Sequence, residues 1–406
     1  MKRTLSRVLV VAAAALVLVA VAIAWRGTSG GGNRAGDPGS LLKPTVPPAV
    51  EAQQLANTPK GKLLPLRDGE HRMTLTMPEA YTPAAPYGTG TDDYRCFLLD
   101  PNLDHDVWLT GSNVLPGNPN VVHHVILFKI PPESVAEAEA KDNANAGEGW
   151  TCFGGTGLAG EFGSLEDANW LAAWAPGGDE TATKDGYGVK LEAGSRIVMQ
   201  VHYNLLKGAA PDTSSTQLRW MPASTDLTPL HTFLLPAPVE LPCRPDHSGG
   251  PLCDRDAAAI DVKKRFGTAG NTNTLLHILC GTEIVPSETT SCTRSISRGM
   301  TVIGAAGHMH LLGRKISIES NPGTDQAKTL LRIPVWDFDN QGAKPIDPVH
   351  LDAGDTVRVT CQHQQWLRDK LPAFASQRED RYVMWAEGST DEMCLGLLQV
   401  AYDDGS

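Results

Sequence analysis

The chain has 406 residues, 20% of them charged and 41% hydrophobic, with a formal net charge of −11. That length leaves room for two domains, each burying its own core, and the composition excludes a disordered chain or a polytopic membrane protein. Setting aside Lys2, Arg3, Arg7 and Arg26, the only charges in the first 26 residues, leaves 31 basic against 46 acidic residues, or −15. That balance repels phosphate backbones, and no basic run occurs elsewhere, so nucleic acid is excluded as a partner.

The N-terminus predicts export. Lys2, Arg3 and Arg7 precede an unbroken apolar run from Val8 to Trp25, and Ala22-Ile23-Ala24 has the small-x-small form of a cleavage site. The run of 18 residues is long for a signal peptide and just long enough to span a bilayer. Residues 1–26 therefore read as a signal peptide or a signal anchor, with the basic tail cytoplasmic, residues 8–25 a membrane tether, and the body secreted or held at the cell surface. No cysteine precedes Cys96, which excludes a lipid-modified cysteine at this junction. Residues 27–60, rich in Gly, Pro, Ser and Ala, read as a flexible linker.

Beyond the linker, short apolar runs are punctuated by Pro, Gly and Asn. Val121 to Ile130, Ser195 to Asn204, Met300 to Glu319 and Asp355 to Cys361 predict strands, most with period-2 alternation. Only Pro132 to Lys141 and Asp254 to Arg265 predict helices. The pattern is all-β, with two sandwich-like halves, residues 61–215 and 216–406, joining somewhere within 205–230. Eight cysteines in an exported chain predict disulfides. Cys96 pairs most simply with Cys152, the only other cysteine of the first half; Cys361 and Cys394 flank the last strands; Cys243, Cys253, Cys280 and Cys292 allow three pairings. No C-x-x-C spacing argues for cysteine ligation of a metal.

Two groups of side chains carry the chemistry. His308 and His310 lie two apart within the Met300 to Glu319 run, so in a continuous strand both leave one face, while Met309 points the other way. With Met393, beside Cys394, they offer two imidazoles and a thioether, a soft mixed set that suits copper cycling between Cu(I) and Cu(II). The upstream group, His123, His124 and His202, has three imidazoles and no sulfur. Adjacent residues of a regular strand point to opposite faces, so His123 and His124 reach one metal only where the strand is bulged, twisted or ended, for which Asn118-Pro119-Asn120 is a source of irregularity. His202 shares the polar side of its strand with Gln200, whereas Ile197, Met199, Val201 and Tyr203 form the apolar side. Taken singly, each residue has a plain alternative: Met393 as core filler and the histidines as solvated strand residues.

At these residues the chain resembles the type II copper, ascorbate-dependent monooxygenases, the family of dopamine β-monooxygenase and peptidylglycine α-hydroxylating monooxygenase. The resemblance rests on His123-His124-Val125-Ile126-Leu127-Phe128, Gln200-Val201-His202-Tyr203, His308-Met309-His310-Leu311-Leu312-Gly313-Arg314-Lys315 and Asp391-Glu392-Met393-Cys394, in that order. Tyr94-Arg95-Cys96, Trp336-Asp337-Phe338 and Pro348 to Asp355 are also similar, and the span is about residues 75–403. The resemblance implies two tandem antiparallel jelly-roll β-sandwich domains, each holding one copper ion. His123, His124 and His202 would ligate an electron-transfer copper, and His308, His310 and Met393 the copper that activates O2. The implied reaction puts one oxygen atom of O2 into a substrate C–H bond and reduces the other to water, with ascorbate or a similar small reductant.

Three departures are visible. Ala306 stands where the peptidylglycine enzyme has an arginine, Leu395 and Leu397 stand where residues hold the peptide carboxylate, and Pro242 to Cys292 is inserted relative to the animal enzymes. The expectation is a copper monooxygenase acting on a small, neutral or apolar molecule. An exported copper-binding or copper-handling protein of the same fold without turnover is the alternative, and a purely structural sandwich with surface histidines the third.

Overall fold

A computed structural model describes residues 63–405 apart from 89, 146–147 and 160–164. Alternation places the core. In the first half, β1 (His71–Thr76), β2 (Asp92–Leu99), β3 (Val107–Leu115), β4 (Val122–Ile130), β5 (Trp150–Thr151), β6 (Trp170–Trp174), β7 (Thr181–Ala182), β8 (Tyr187–Leu191), β9 (Arg196–Asn204), β10 (Ser215–Pro222) and β11 (Thr228–Pro229) make two sheets. One runs β1-β10-β3-β8-β11, with β7 also on β3, and the other β5-β2-β9-β4-β6. Every pairing is antiparallel except β11 on β8. Leu109, Leu191 and Leu218 of the first sheet meet Phe97, Leu127, Ile197, Met199, Val201 and Tyr203 of the second in one buried core. The alternation read in β9 therefore holds: its odd-numbered residues face inward.

The second half contains β12 (His231–Pro236), β13 (Glu240–Leu241), β14 (Thr289–Ser295), β15 (Met300–His308), β16 (Gly313–Ser320), β17 (Lys328–Ile333), β18 (Lys344–Leu351), β19 (Thr356–His363), β20 (Val383–Met384) and β21 (Leu395–Tyr402). Sheets β12-β21-β15-β18 and β14-β19-β16-β17 are each antiparallel. They enclose a core that includes Phe233, Met300, Val302, Ile316, Ile318, Val359 and Leu398. The described chain is thus all-β in plan, built as sheets packed face to face.

Both predicted helices form, with shifted ends. A 3-10 turn covers Pro132–Ser134 before the helix Val135–Asn145, and the second runs Arg255–Phe266, capped by the Asp254 carboxylate on Ala257 N–H. A third helix, Thr272–Cys280, was not expected. The disulfides are Cys96–Cys152, Cys243–Cys253, Cys280–Cys292 and Cys361–Cys394, with no free cysteine. Four bridges suit an extracellular or otherwise oxidising compartment. No helix of the described residues is long and apolar enough to cross a membrane, and the segment 8–25 lies outside them.

Candidate metal centre

The upstream histidines form a tripod. In the β4–β9 pairing His124 lies opposite His202, and the register shifts between Val122 and His124, which puts a bulge at His123. This is the irregularity that two adjacent ligands require. The three Nδ1 atoms stand 3.2 Å (His123 to His124), 3.3 Å (His123 to His202) and 3.3 Å (His202 to His124) apart. A metal ion bound tetrahedrally by imidazole nitrogens at about 2.0–2.1 Å would separate them by about 3.3 Å. All three rings are buried. Burial, followed by the neighbouring histidines, pushes His123 and His124 well below the ordinary imidazole range, so they are neutral at pH 7.

His202 Nε2 lies 2.9 Å from Asp92 Oδ1. Burial alone would raise the Asp92 carboxyl, but the hydrogen bond from His202, with the Ser389 and Thr91 hydroxyls, holds it below the usual carboxylate range. An ionised carboxylate only accepts, so His202 donates from Nε2 and turns its Nδ1 lone pair into the tripod. Tyr94 stacks on His202 at 4.0 Å, and Phe338 stacks on His123 at 4.3 Å. Ser389 donates to Asp92 Oδ1 at 2.8 Å, so a residue of the second half buttresses the carboxylate that orients His202 of the first.

The downstream pair is built differently from the sequence expectation. Met300 to Glu319 is two strands, and β15 ends at His308, so His310 sits in a turn and not on the same strand face. Gly313 makes the turn possible: a Cβ there would stand 2.8 Å from Trp336 and 2.9 Å from Met309 Cβ. The turn still brings the two rings to 5.2 Å between centroids. His308 Nδ1 lies 2.6 Å from Gln341 Oε1. His310 is fully buried, with no side-chain hydrogen-bond partner for either ring nitrogen among the described residues and the Gly388 backbone beside the ring as a hydrogen-bonding group. Burial lowers both rings, His308 to about 4 and His310 well below the ordinary value.

Met393 is buried with Leu276, Trp385 and Leu395. Its backbone is tied to the histidine turn: the Glu392 carboxylate accepts from His310 N at 3.0 Å and from Met393 N at 3.2 Å, while His363 Nε2 lies 3.1 Å from Met393 O. The Cys361–Cys394 bridge fixes the adjoining residue to β19. Across β15 and β21, His308 lies opposite Leu395 and Ala306 opposite Leu397, and Leu397 in turn faces Leu234 on β12. These positions share one sheet face, and Leu234, Leu395 and Leu397 belong to the Met393 cluster. Arg314 and Lys315 are on β16, in the other sheet.

The two groups are contiguous. His124 and His308 lie 5.6 Å apart, and Phe338 reaches both His123 and, edge-on at 6.4 Å, His310. Sequence reading missed Asp92, Phe338, Gln341, Glu392, His363 and Ser389 as supporting residues. Asp92 stands beside Tyr94-Arg95-Cys96 and Phe338 within Trp336-Asp337-Phe338, segments the sequence singles out, which is a usable signal; Gln341 carries none. No protein-family model and no curated protein matches the chain. Among solved structures it is similar to an allantoicase (11% identity, 66% of this chain and 73% of that one, TM-score 0.17) and to a fucolectin from striped bass, Morone saxatilis, serum (7%, 77% and 84%, 0.18). A third is a mutant of Bacillus subtilis oxalate decarboxylase (9%, 86% and 76%, 0.15). TM-scores this low carry no argument about fold or function.

Proposed function

We propose that the chain is an exported copper monooxygenase whose two sandwiches are jelly rolls and whose two ligand sets each take one copper ion. The observation that carries this reading is the tripod of buried Nδ1 atoms at metal-binding separation, backed by Asp92 and set against a second imidazole pair. The donor chemistry fits copper: three imidazoles serve either oxidation state, and a set with the Met393 thioether favours Cu(I). Copper bound there would supply one-electron redox chemistry and O2 activation, with ascorbate or a similar small reductant as co-substrate.

The chain's own residues supply the rest. Asp92 fixes the His202 ring, Glu392 holds the His310 turn and the Met393 backbone together, and burial keeps His123, His124, His308 and His310 unprotonated and ready to ligate. Ala306, Leu395, Leu397 and Leu234 offer an apolar face beside His308 with no cation in that sheet position. A carboxylate placed there without a partner would cost several kcal/mol. The substrate is therefore a small neutral or apolar molecule, and C-terminal glycine-extended peptides are not substrates. The apolar run at residues 8–25 would tether the enzyme to the membrane or be cleaved on secretion.

The test is oxygen consumption by the copper-loaded protein with ascorbate and a panel of amines, phenethyl compounds and small apolar molecules, read with mass spectrometry for a +16 product. Substrate-dependent consumption with that product supports the reading. Stable copper retention with no product anywhere in the panel would identify a copper-handling protein instead, and efficient saturable hydroxylation of a glycine-extended peptide would refute the substrate class.

A further inference from the structure

The segment joining β17 to β18 touches both histidine groups. Phe338 stacks on His123, and three residues later Gln341 meets His308. The amide of Gln341 is oriented by a second bond: its Nε2 donates to the Phe338 carbonyl at 2.7 Å. A carbonyl oxygen only accepts, so the amide nitrogen must face Phe338 and the amide oxygen must face His308. An amide oxygen also only accepts, so the proton of the neutral His308 ring must sit on Nδ1.

We propose that Gln341 is a positioning residue that fixes His308 as the Nδ1–H tautomer and so presents the Nε2 lone pair of that ring to a metal. The inference rests on the proposed function for its metal, and on the hydrogen bonds alone for its tautomer. It makes the two groups opposite in kind. Asp92 leaves His202 with a free Nδ1, whereas Gln341 leaves His308 with a free Nε2, and each selection is made by an acceptor on the far side of the ring. The same segment aligns both centres, because the carbonyl that orients Gln341 belongs to the residue whose ring covers His123.

The experiment uses the metal-free exported protein labelled with 15N-histidine at pH 7.5, with the His308 signals assigned through His308→Ala. The wild type should show a protonated Nδ1 and an unprotonated Nε2 at His308. Gln341→Leu removes the acceptor and should give a mixed or reversed tautomer, while Gln341→Glu keeps an acceptor oxygen and should restore the Nδ1–H form. Unchanged His202 signals in both variants report that the fold survives. Copper alone is then titrated against a competing chelator: Gln341→Leu should weaken one of two sites by about 10–100-fold and leave the other unchanged. A wild-type His308 protonated on Nε2, or a Gln341→Leu variant with the wild-type tautomer, overturns the inference. An Nδ1–H ring that holds no copper leaves the tautomer assignment standing and removes the two-centre reading.

Discussion

His124 and His308 meet edge to face with 5.6 Å between ring centroids, one from the bulged strand of the first half and the other from the end of β15 in the second. The two histidine groups thus share one buried space. A proton or ion placed on one is felt by the other, and the lowered proton affinities of His123, His124 and His310 each include a contribution from a histidine of the opposite group.

The metal-free chain should lose stability on acidification. His123, His124, His308 and His310 have folded pKa values below the unfolded value of about 6.5, with His308 near 4. The unfolded state binds more protons in this window, so the contribution is whole above pH 6.5 and is lost as pH falls toward 4. Urea midpoints between pH 7.5 and 4.5 read this directly. The fall should be smaller in His308→Asn, and a midpoint that rises on acidification contradicts the assignment.

Glu387 should act in the opposite direction. It is buried, with its carboxyl beside Gly154, and burial, then Asp391, raises it to about 8. Its folded pKa lies above the unfolded value, so its contribution is whole below pH 4.5 and is lost as pH rises toward 8. Glu387→Gln should flatten that alkaline decline and make the variant more stable than wild type at pH 9, by up to a few kcal/mol. Equal alkaline slopes in the two proteins would show that Glu387 is ionised throughout.

Asp92→Asn keeps the shape and removes the charge that orients His202 and accepts from Ser389. Copper at the tripod should weaken by about 10–100-fold, and the fold should lose about 1–3 kcal/mol. Chelator competition and denaturant unfolding measure the two effects separately. Wild-type copper affinity in this variant would show that the carboxylate is only structural.

Met393→Ile should change stability by less than about 1.5 kcal/mol, because volume is largely kept, yet should lower Cu(I) affinity and turnover. Removing the neighbouring bridge with Cys361→Ala and Cys394→Ala should instead cost about 2–5 kcal/mol. A Met393→Ile protein with full turnover would make Met393 core filler, as its packing with Leu276, Trp385 and Leu395 alone would suggest.

Much of the fold was legible because periodicity is local. The inward face of β9 and the Cys96–Cys152 bridge follow from alternation and elimination. The break after His308 was not legible, since His308-Met309-His310-Leu311 continues an alternating pattern and the turn is enforced by packing around Gly313 and by the distant Glu392 carboxylate. The helix Thr272–Cys280 was missed for its shortness; its stop signal, Gly281 at φ 61°, was present in the sequence. At the site the candidate ligands were readable as residue types at given spacings; Asp92 and Glu392 stand beside or within segments the sequence singles out, but their partners His202 and His310 are distant in sequence, and Gln341 carries no local signal at all.

The most direct test of two copper centres is the metal content of the folded protein after copper loading and removal of excess. Two copper ions per chain are expected, falling to one when His308 and His310 are both replaced by alanine, with the tripod ion retained. A wild-type content of one, or zinc kept in preference to copper under copper-replete conditions, would contradict the account.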